Sequence, residues 1–129
     1  MRTQATGKTR RGLVIGGTIV LVALHLHTAL LGFAHLNGLE LIYADGRIIR
    51  EAGAGPNALN IIYAIVHPIG AALLIVGTVQ LYKGQVMRAR FAYVASALCG
   101  LLPSPLLCLA CLVFSAIVTG KWGNSGQPE

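Results

Sequence analysis

Charge is what this sequence has least of. Only 11% of its 129 residues are charged and four of them are acidic, whereas a water-soluble domain carries about 25% charged residues to cover its surface. With 55% of the residues hydrophobic, that shortage excludes an ordinary soluble surface and predicts an exterior facing lipid. Aromatic residues are scarce too, at 6%. The basic residues are not interleaved with them, so the formal charge of +6 does not describe a nucleic-acid surface. Cysteine is limited to Cys99, Cys108 and Cys111, all in apolar sequence, and an odd number there makes no disulfide framework. Cys108 and Cys111 form a CxxC on one helical face. No second ligand pair completes a metal or redox site, so the two read as packing residues.

What is present is apolar sequence in blocks, enough for one domain. The first, Leu13 to Leu36, makes a helix of about 36 Å, which crosses a hydrocarbon core of about 30 Å with some tilt. It follows "TRRGLV", which resembles a twin-arginine signal. The apolar run exceeds the usual signal core and no small-x-small cleavage site follows, so an uncleaved first span is expected. "NGLELIYADGRIIREAGAGPN" then reads as loop from its Asn-Gly, Asp-Gly and Gly-Pro steps. The second block, Ala58 to Tyr82, is again long enough to span, and membrane helices tolerate its Pro68. "KGQVMRAR" reads as a short polar connection. The third block, Phe91 to Thr119, is long for one helix and short for two. Pro103 and Pro105 each remove a backbone donor, and Ser104, standing before a proline, is pushed out of the α region. One kinked span and a hairpin of two short helices both satisfy this.

Basic loops stay in the cytoplasm. Arg2, Lys8, Arg10 and Arg11 at the N-terminus, and Lys83, Arg88 and Arg90 between blocks two and three, place those segments inside. The loop between blocks one and two balances Arg47 and Arg50 against Asp45 and Glu51 and falls outside. The expected organisation is a basic cytoplasmic tail (1–12), one transmembrane helical domain (13–122) and a polar tail (123–129).

From Tyr82 onward, "YKGQVMRARFAYVASALCGLLPSPLLCLACLVFSAIVTGKW" resembles the tail of small bacterial tetraspan-type integral membrane proteins without assigned function. They share a basic loop, a small-residue-rich helix, a Pro-Ser-Pro-type break beside cysteine, and a final apolar helix with Gly and Trp. Here the Gly-x-Trp falls late, as Gly120-Lys121-Trp122. The resemblance implies a break at Pro103-Ser104-Pro105 and hence an all-α, polytopic bundle of about four helices, with three as the alternative.

Four histidines stand in the apolar blocks. An unpartnered polar side chain in hydrocarbon costs several kcal/mol, so each should face protein, a cofactor or water. His25 lies about 18 Å up span one and His67 about 22 Å up the returning span two, so the two reach similar depth near the midplane. A bis-imidazole haem or a chlorophyll-type pigment needs that arrangement. Against it, His25 and His27 are about 200° apart around a helix, and His35 lies near the outer end. Interhelical hydrogen bonding is the plainer reading, with no cofactor.

Small residues give the other signal. Ala92, Ser96 and Gly100 recur every four residues, Gly12 and Gly16 form a GxxxG, and Gly70 and Gly77 recur seven apart. Such faces let helices approach closely in lipid. Glu40 and Asp45 sit at the outer end of span one without a nucleophile, metal cluster or phosphate loop, so they read as interfacial acids. "GAGPN" is too poor in glycine, and follows no strand, for a phosphate cradle.

The expected function is that of a non-catalytic accessory or assembly subunit of the cell inner membrane. Its partners would be the lipid bilayer and either a larger membrane complex or itself. A haem- or pigment-binding electron-transfer subunit is the first alternative. A small homo-oligomeric channel, lined by Thr18, His25, Thr28, Thr78 and Gln80, is the second.

Overall fold

The computed structural model describes residues 2–39, 41–42, 44–49, 58–101 and 104–123. Four helices make up the fold: α1 (Arg2–Leu36), α2 (Ala58–Tyr82), α3 (Val86–Gly100) and α4 (Pro105–Gly123). Between α1 and α2, β1 (Leu41–Ile42) and β2 (Ile48–Ile49) pair antiparallel, Leu41 opposite Ile49 and Ile42 opposite Ile48. The turn joining them is held by Asp45, whose carboxylate accepts the Arg47 backbone N–H at 3.1 Å and the Arg47 Nε at 2.6 Å. That backbone bond, and then the guanidinium, hold the Asp45 carboxyl below its ordinary pKa.

The two long helices end in the same way. Gly38 (φ +63°) and Gly84 (φ +75°) take the left-handed conformation that only glycine adopts without cost. After α1, Leu39 N–H reaches the Ala34 carbonyl at 2.9 Å and Gly38 N–H that of His35 at 3.3 Å. After α2, Gln85 N–H reaches Gln80 at 2.9 Å and Gly84 N–H reaches Leu81 at 3.0 Å. Both are Schellman closures, which satisfy carbonyls that a helix end would otherwise leave bare. The second is so tight that α3 begins at Val86. The polar connection expected over "KGQVMRAR" is therefore a three-residue turn, and Met87, Arg88, Ala89 and Arg90 belong to the helix. At the other end of the chain, α1 extends back from Leu13 through the basic segment to Arg2.

The third apolar block is two helices. Pro103 lies outside the described residues, but Ser104 and Pro105 explain the restart. Ser104 is the N-cap of α4: its carbonyl accepts Leu107 N–H at 3.0 Å and Cys108 N–H at 3.3 Å, and its Oγ also accepts Leu107 N–H at 3.4 Å. Pro105 takes the first helical position, where its missing N–H costs nothing. What reads in sequence as a break is also a helix start.

The helices run alternately up and down. α1 packs mainly on α2, α2 on α3 and α3 on α4, and α4 meets α1 more sparingly. The core is small: Val14, Leu21, Leu74, Leu81, Ala89, Tyr93, Ala97, Leu107, Cys108, Cys111 and Val118, with Tyr93 edge-on to Phe114 at 5.5 Å between ring centres. Its polarity is the reverse of a soluble bundle's. Thr18, His25, Asn60, His67, Ser96, Ser115 and Thr119 are buried, while Ile19, Val20, Phe33, Ile65, Phe91 and Leu106 are more than half exposed. A soluble fold buries the second set and exposes the first. Two helical stretches, Arg10–Leu36 and Ala58–Tyr82, are long and apolar enough to cross a membrane. α3, with 15 residues, and the apolar part of α4, Pro105–Gly120, are shorter.

If Ser104 caps α4, Ser104→Ala should destabilise the folded protein by about 1 kcal/mol and Ser104→Gly by only a few tenths. Reversible unfolding in mixed detergent micelles measures both. Equal losses would show that the side chain caps nothing.

Candidate functional site

Halfway along the bundle, one polar side chain from each helix meets the others. α1 brings His25, α2 brings His67, α3 brings Ser96 and α4 brings Cys111. His25, His67, Ser96 and Cys111 are all 0% exposed. His25 Nδ1 lies 2.9 Å from His67 Nδ1, and His25 Nε2 lies 3.3 Å from Ser96 Oγ and 3.8 Å from Cys111 Sγ.

The hydrogen positions follow from one fixed point. Ser96 Oγ is 2.8 Å from the Gly70 carbonyl, which can only accept, so the single hydroxyl hydrogen goes there. Ser96 therefore accepts from His25, and His25 carries its proton on Nε2. With Nδ1 of a neutral His25 bare, His67 must donate through Nδ1–H. The chain of donation runs from His67 to His25 to Ser96 to the backbone of α2, and the Cys111 sulfur is a weaker second acceptor beside Nε2–H. Both ring nitrogens of His25 are consumed within the protein.

Glycine makes this junction possible. A Cβ on Gly70 would sit 2.6 Å from His25 Cε1, 2.8 Å from its Nδ1 and 3.0 Å from Cys99 Cβ. The His25 ring occupies the space a side chain would fill. Two other glycines seat the same helices. Gly77 would meet the Tyr93 ring at 2.8 Å, and Gly32 would meet the α2 backbone at Ala64 N, 2.9 Å away.

A second polar layer lies toward the end that carries the N-terminus. Thr78 donates back to the Leu74 carbonyl at 3.0 Å, which leaves its oxygen to accept from Thr18 at 2.7 Å and from the Tyr93 hydroxyl at 3.0 Å. Three helices are joined through one threonine oxygen.

The sequence-derived residues fall unevenly on this geometry. His25 and His67 come together; His27 is exposed and His35 is partly buried one end further on. Ala92, Ser96 and Gly100 are buried on α3, with Gly100 against Leu107 and Cys108. Gly70 and Gly77 lie on the inner face of α2. Among the described residues, nothing lies within 4 Å of where the Cβ atoms of Gly12 and Gly16 would be. Their neighbour Gly17 packs against the Phe114 ring. The contact within the chain thus lies one residue on from the GxxxG, about 100° around the helix. Thr28 bonds its own Leu24 carbonyl at 3.1 Å, and Thr18 and Thr78 bond each other, so neither is turned to a pore. Glu40 lies outside the described residues. Gly17, Gly32 and Tyr93 carry contacts that motif spacing did not single out, and Cys111, noted for its CxxC spacing and read as a packing residue, also touches His25. Gly17 has the Gly-Gly pair as its signal; Tyr93 has none beyond being an aromatic with a hydroxyl in apolar sequence.

Two chemistries can be weighed against the junction. The order Ser96, His25, His67 follows nucleophile, base and orienting group. The Ser96 hydrogen, however, points at Gly70 rather than at His25, and the whole set is enclosed, so no substrate carbonyl reaches it. An iron held axially between the two imidazoles would need their nitrogens about 4 Å apart, from bonds of about 2 Å each. At 2.9 Å the rings touch directly, and neither an iron nor a macrocycle fits between them. Among the described residues, no group of three or more His, Cys, Asp or Glu could hold a metal ion. Compared with protein-family models, with curated proteins and with solved structures, the chain matches none.

The junction makes two predictions. Gly70→Ala should cost about 1–3 kcal/mol by overpacking, whereas Gly16→Ala should be neutral, both read by detergent unfolding. His25→Ala and His67→Ala should each cost about 1–3 kcal/mol but less than their sum when combined, because the bond between the two rings is lost in either case. Strict additivity in that double-mutant cycle would mean that the two rings do not bond.

Proposed function

We propose that this chain is a small multi-pass protein of the cell inner membrane, its N-terminus on the cytoplasmic side, acting as a non-catalytic accessory or assembly subunit. One observation carries the reading. At the middle of the bundle one polar side chain from each helix joins a single enclosed junction, while the bulky apolar side chains face outward; elsewhere among the described residues His35 Nε2 and Gln80 Oε1 are buried without a hydrogen-bond partner. A protein so arranged has little chemistry left to offer a substrate and much surface to offer lipid and apolar helices. Its parts outside the helices support the same reading, since the described connections are a three-residue turn and a two-stranded ladder. Neither is large enough to build an enzyme site.

The unpartnered faces of α1 and α4 are where another subunit or a second copy would pack, with Gly12 and Gly16 allowing close approach. A haem or chlorophyll-type pigment between His25 and His67 would have to break the bond joining them, which ranks that reading lower. A channel would need the threonines turned to a pore rather than to each other.

Topology is tested by introduced cysteines and a membrane-impermeant thiol reagent. Asp45→Cys should label in intact cells and Gln85→Cys only after the membrane is opened; the reverse pattern would invert the orientation. Function is tested by extraction from the native membrane in mild detergent. The chain should leave the column in a complex well above its own 13.5 kDa, with no visible absorption band that His25→Ala removes. Ion flux in liposomes holding the protein alone would overturn the accessory role.

A further inference from the structure

Ten residues are basic, and their distribution is lopsided. Two of them, Arg47 and Arg50, stand in the connection between α1 and α2. The other eight lie on segments that converge at the opposite end: the start of α1, the turn between α2 and α3 with the start of α3, and the end of α4. The antiparallel pairing of Thr18 with Thr78, and the 3.3 Å contact of Arg90 Nε with Thr119 Oγ1, bring these segments level. Arg11, Lys83, Arg88 and Arg90 are exposed there, and Arg10 is partly so.

No acid answers them within the helices. Residues 1–39 and 58–123 contain neither Asp nor Glu. Glu40, Asp45 and Glu51 belong to the far connection, and Glu129 lies beyond α4. Arg88 and Arg90 bond neutral groups: Arg88 Nη1 donates to Gln85 Oε1 at 3.1 Å, and Arg90 Nε donates to Thr119 Oγ1. Beside them is an open hollow of about 490 Å³ lined by Gly84, Gln85, Val86, Met87 and Arg88. Immediately above, Met87 is 65% and Phe91 77% exposed. Cations with bare apolar side chains one helical turn away match a ligand that is anionic at one end and greasy at the other.

We propose that this end of the bundle binds the phosphate headgroups of anionic phospholipids, with Arg88 in the lining of the hollow and the exposed Lys83, next to Gly84 in the same turn, as the main contacts, and with Met87 and Phe91 along the acyl chain. The inference rests on the membrane reading above. A soluble acidic partner would use the charges but leave Met87 and Phe91 bare. The level is also right. By helix rise, Arg10 lies about 12 Å, Lys83 about 7 Å and Arg90 about 4 Å beyond the Thr18–Thr78–Tyr93 layer, within reach of the headgroup zone for side chains that extend toward water.

The test uses the full chain in a neutral detergent, with thermal unfolding followed as lipid is added. Phosphatidylglycerol should raise the midpoint by several degrees, phosphatidylcholine should not, and high salt should shrink the shift. In Lys83→Gln/Arg88→Gln the shift should fall to less than half, while Arg47→Gln, at the other end, should keep it. Equal stabilisation by phosphatidylcholine, or a full shift in the double variant, would overturn the site. A full shift with inorganic phosphate alone would make it a soluble-anion site, and one with polyglutamate a protein-docking surface; either replaces the proposal. Flotation with neutral phosphatidylcholine vesicles tests the membrane reading separately. A protein that floats yet ignores phosphatidylglycerol loses only the headgroup site, and one that does not float loses both.

Discussion

The arrangement depends on one imidazole. The side chain of His25 meets partners on each of the three other helices, and it holds them because Gly70 has no side chain and Ser96 passes its own hydrogen to the Gly70 carbonyl. In an apolar surrounding the hydrophobic effect does not distinguish one helix face from another, so close packing and hydrogen bonds must set which faces meet. Individually such bonds are modest, averaging about 0.6 kcal/mol in a measured membrane bundle. Their effect here is specificity: a rotation of any one helix leaves a donor or acceptor of this junction without a partner in a place where water cannot supply one.

That logic explains what sequence alone could yield. Helix α2 coincides with the second apolar block because both of its limits are encoded locally, by loop punctuation before it and by Gly84 after it. The restart at α4 was written in Ser104 and Pro105, but the same residues also suit a kink, and length left the choice open. The bounds of α3 are obscured because Met87, Arg88, Ala89 and Arg90 have fair helix propensity while Arg88 and Arg90 carry the basic charge that reads as a loop. Charge on a helix end at a membrane surface costs little, so it is a poor boundary signal.

The site was legible in depth but not in angle. Counting from the span ends brings His25 and His67 to a common level because rise per residue is nearly constant. Which side of the helix each glycine occupies depends on rotation, and all faces here look alike in composition. Gly12 and Gly16 matched a packing motif that meets no neighbour among the described residues, whereas Gly17 and Gly32, with no motif, are in contact. Ser96 was picked out for its size, and its size is only half of its role. No spacing rule indicates where its hydroxyl hydrogen goes. That became visible only when the Gly70 carbonyl was placed beside it.

The four helices are unequal in length, and that has a mechanical consequence. α1 and α2 match a hydrocarbon core of about 30 Å, but α3, at 15 residues, rises only about 22 Å. If the chain spans a bilayer as proposed, Ser104 then lies beneath the surface on one flank, its carbonyl taken up by Leu107 and Cys108 N–H rather than by water. Lipid on that flank must thin to meet it while lipid against α1 and α2 need not. Under the membrane reading proposed above, the protein would be a wedge in thickness, and neighbours of different height would fit different flanks without any chemical recognition.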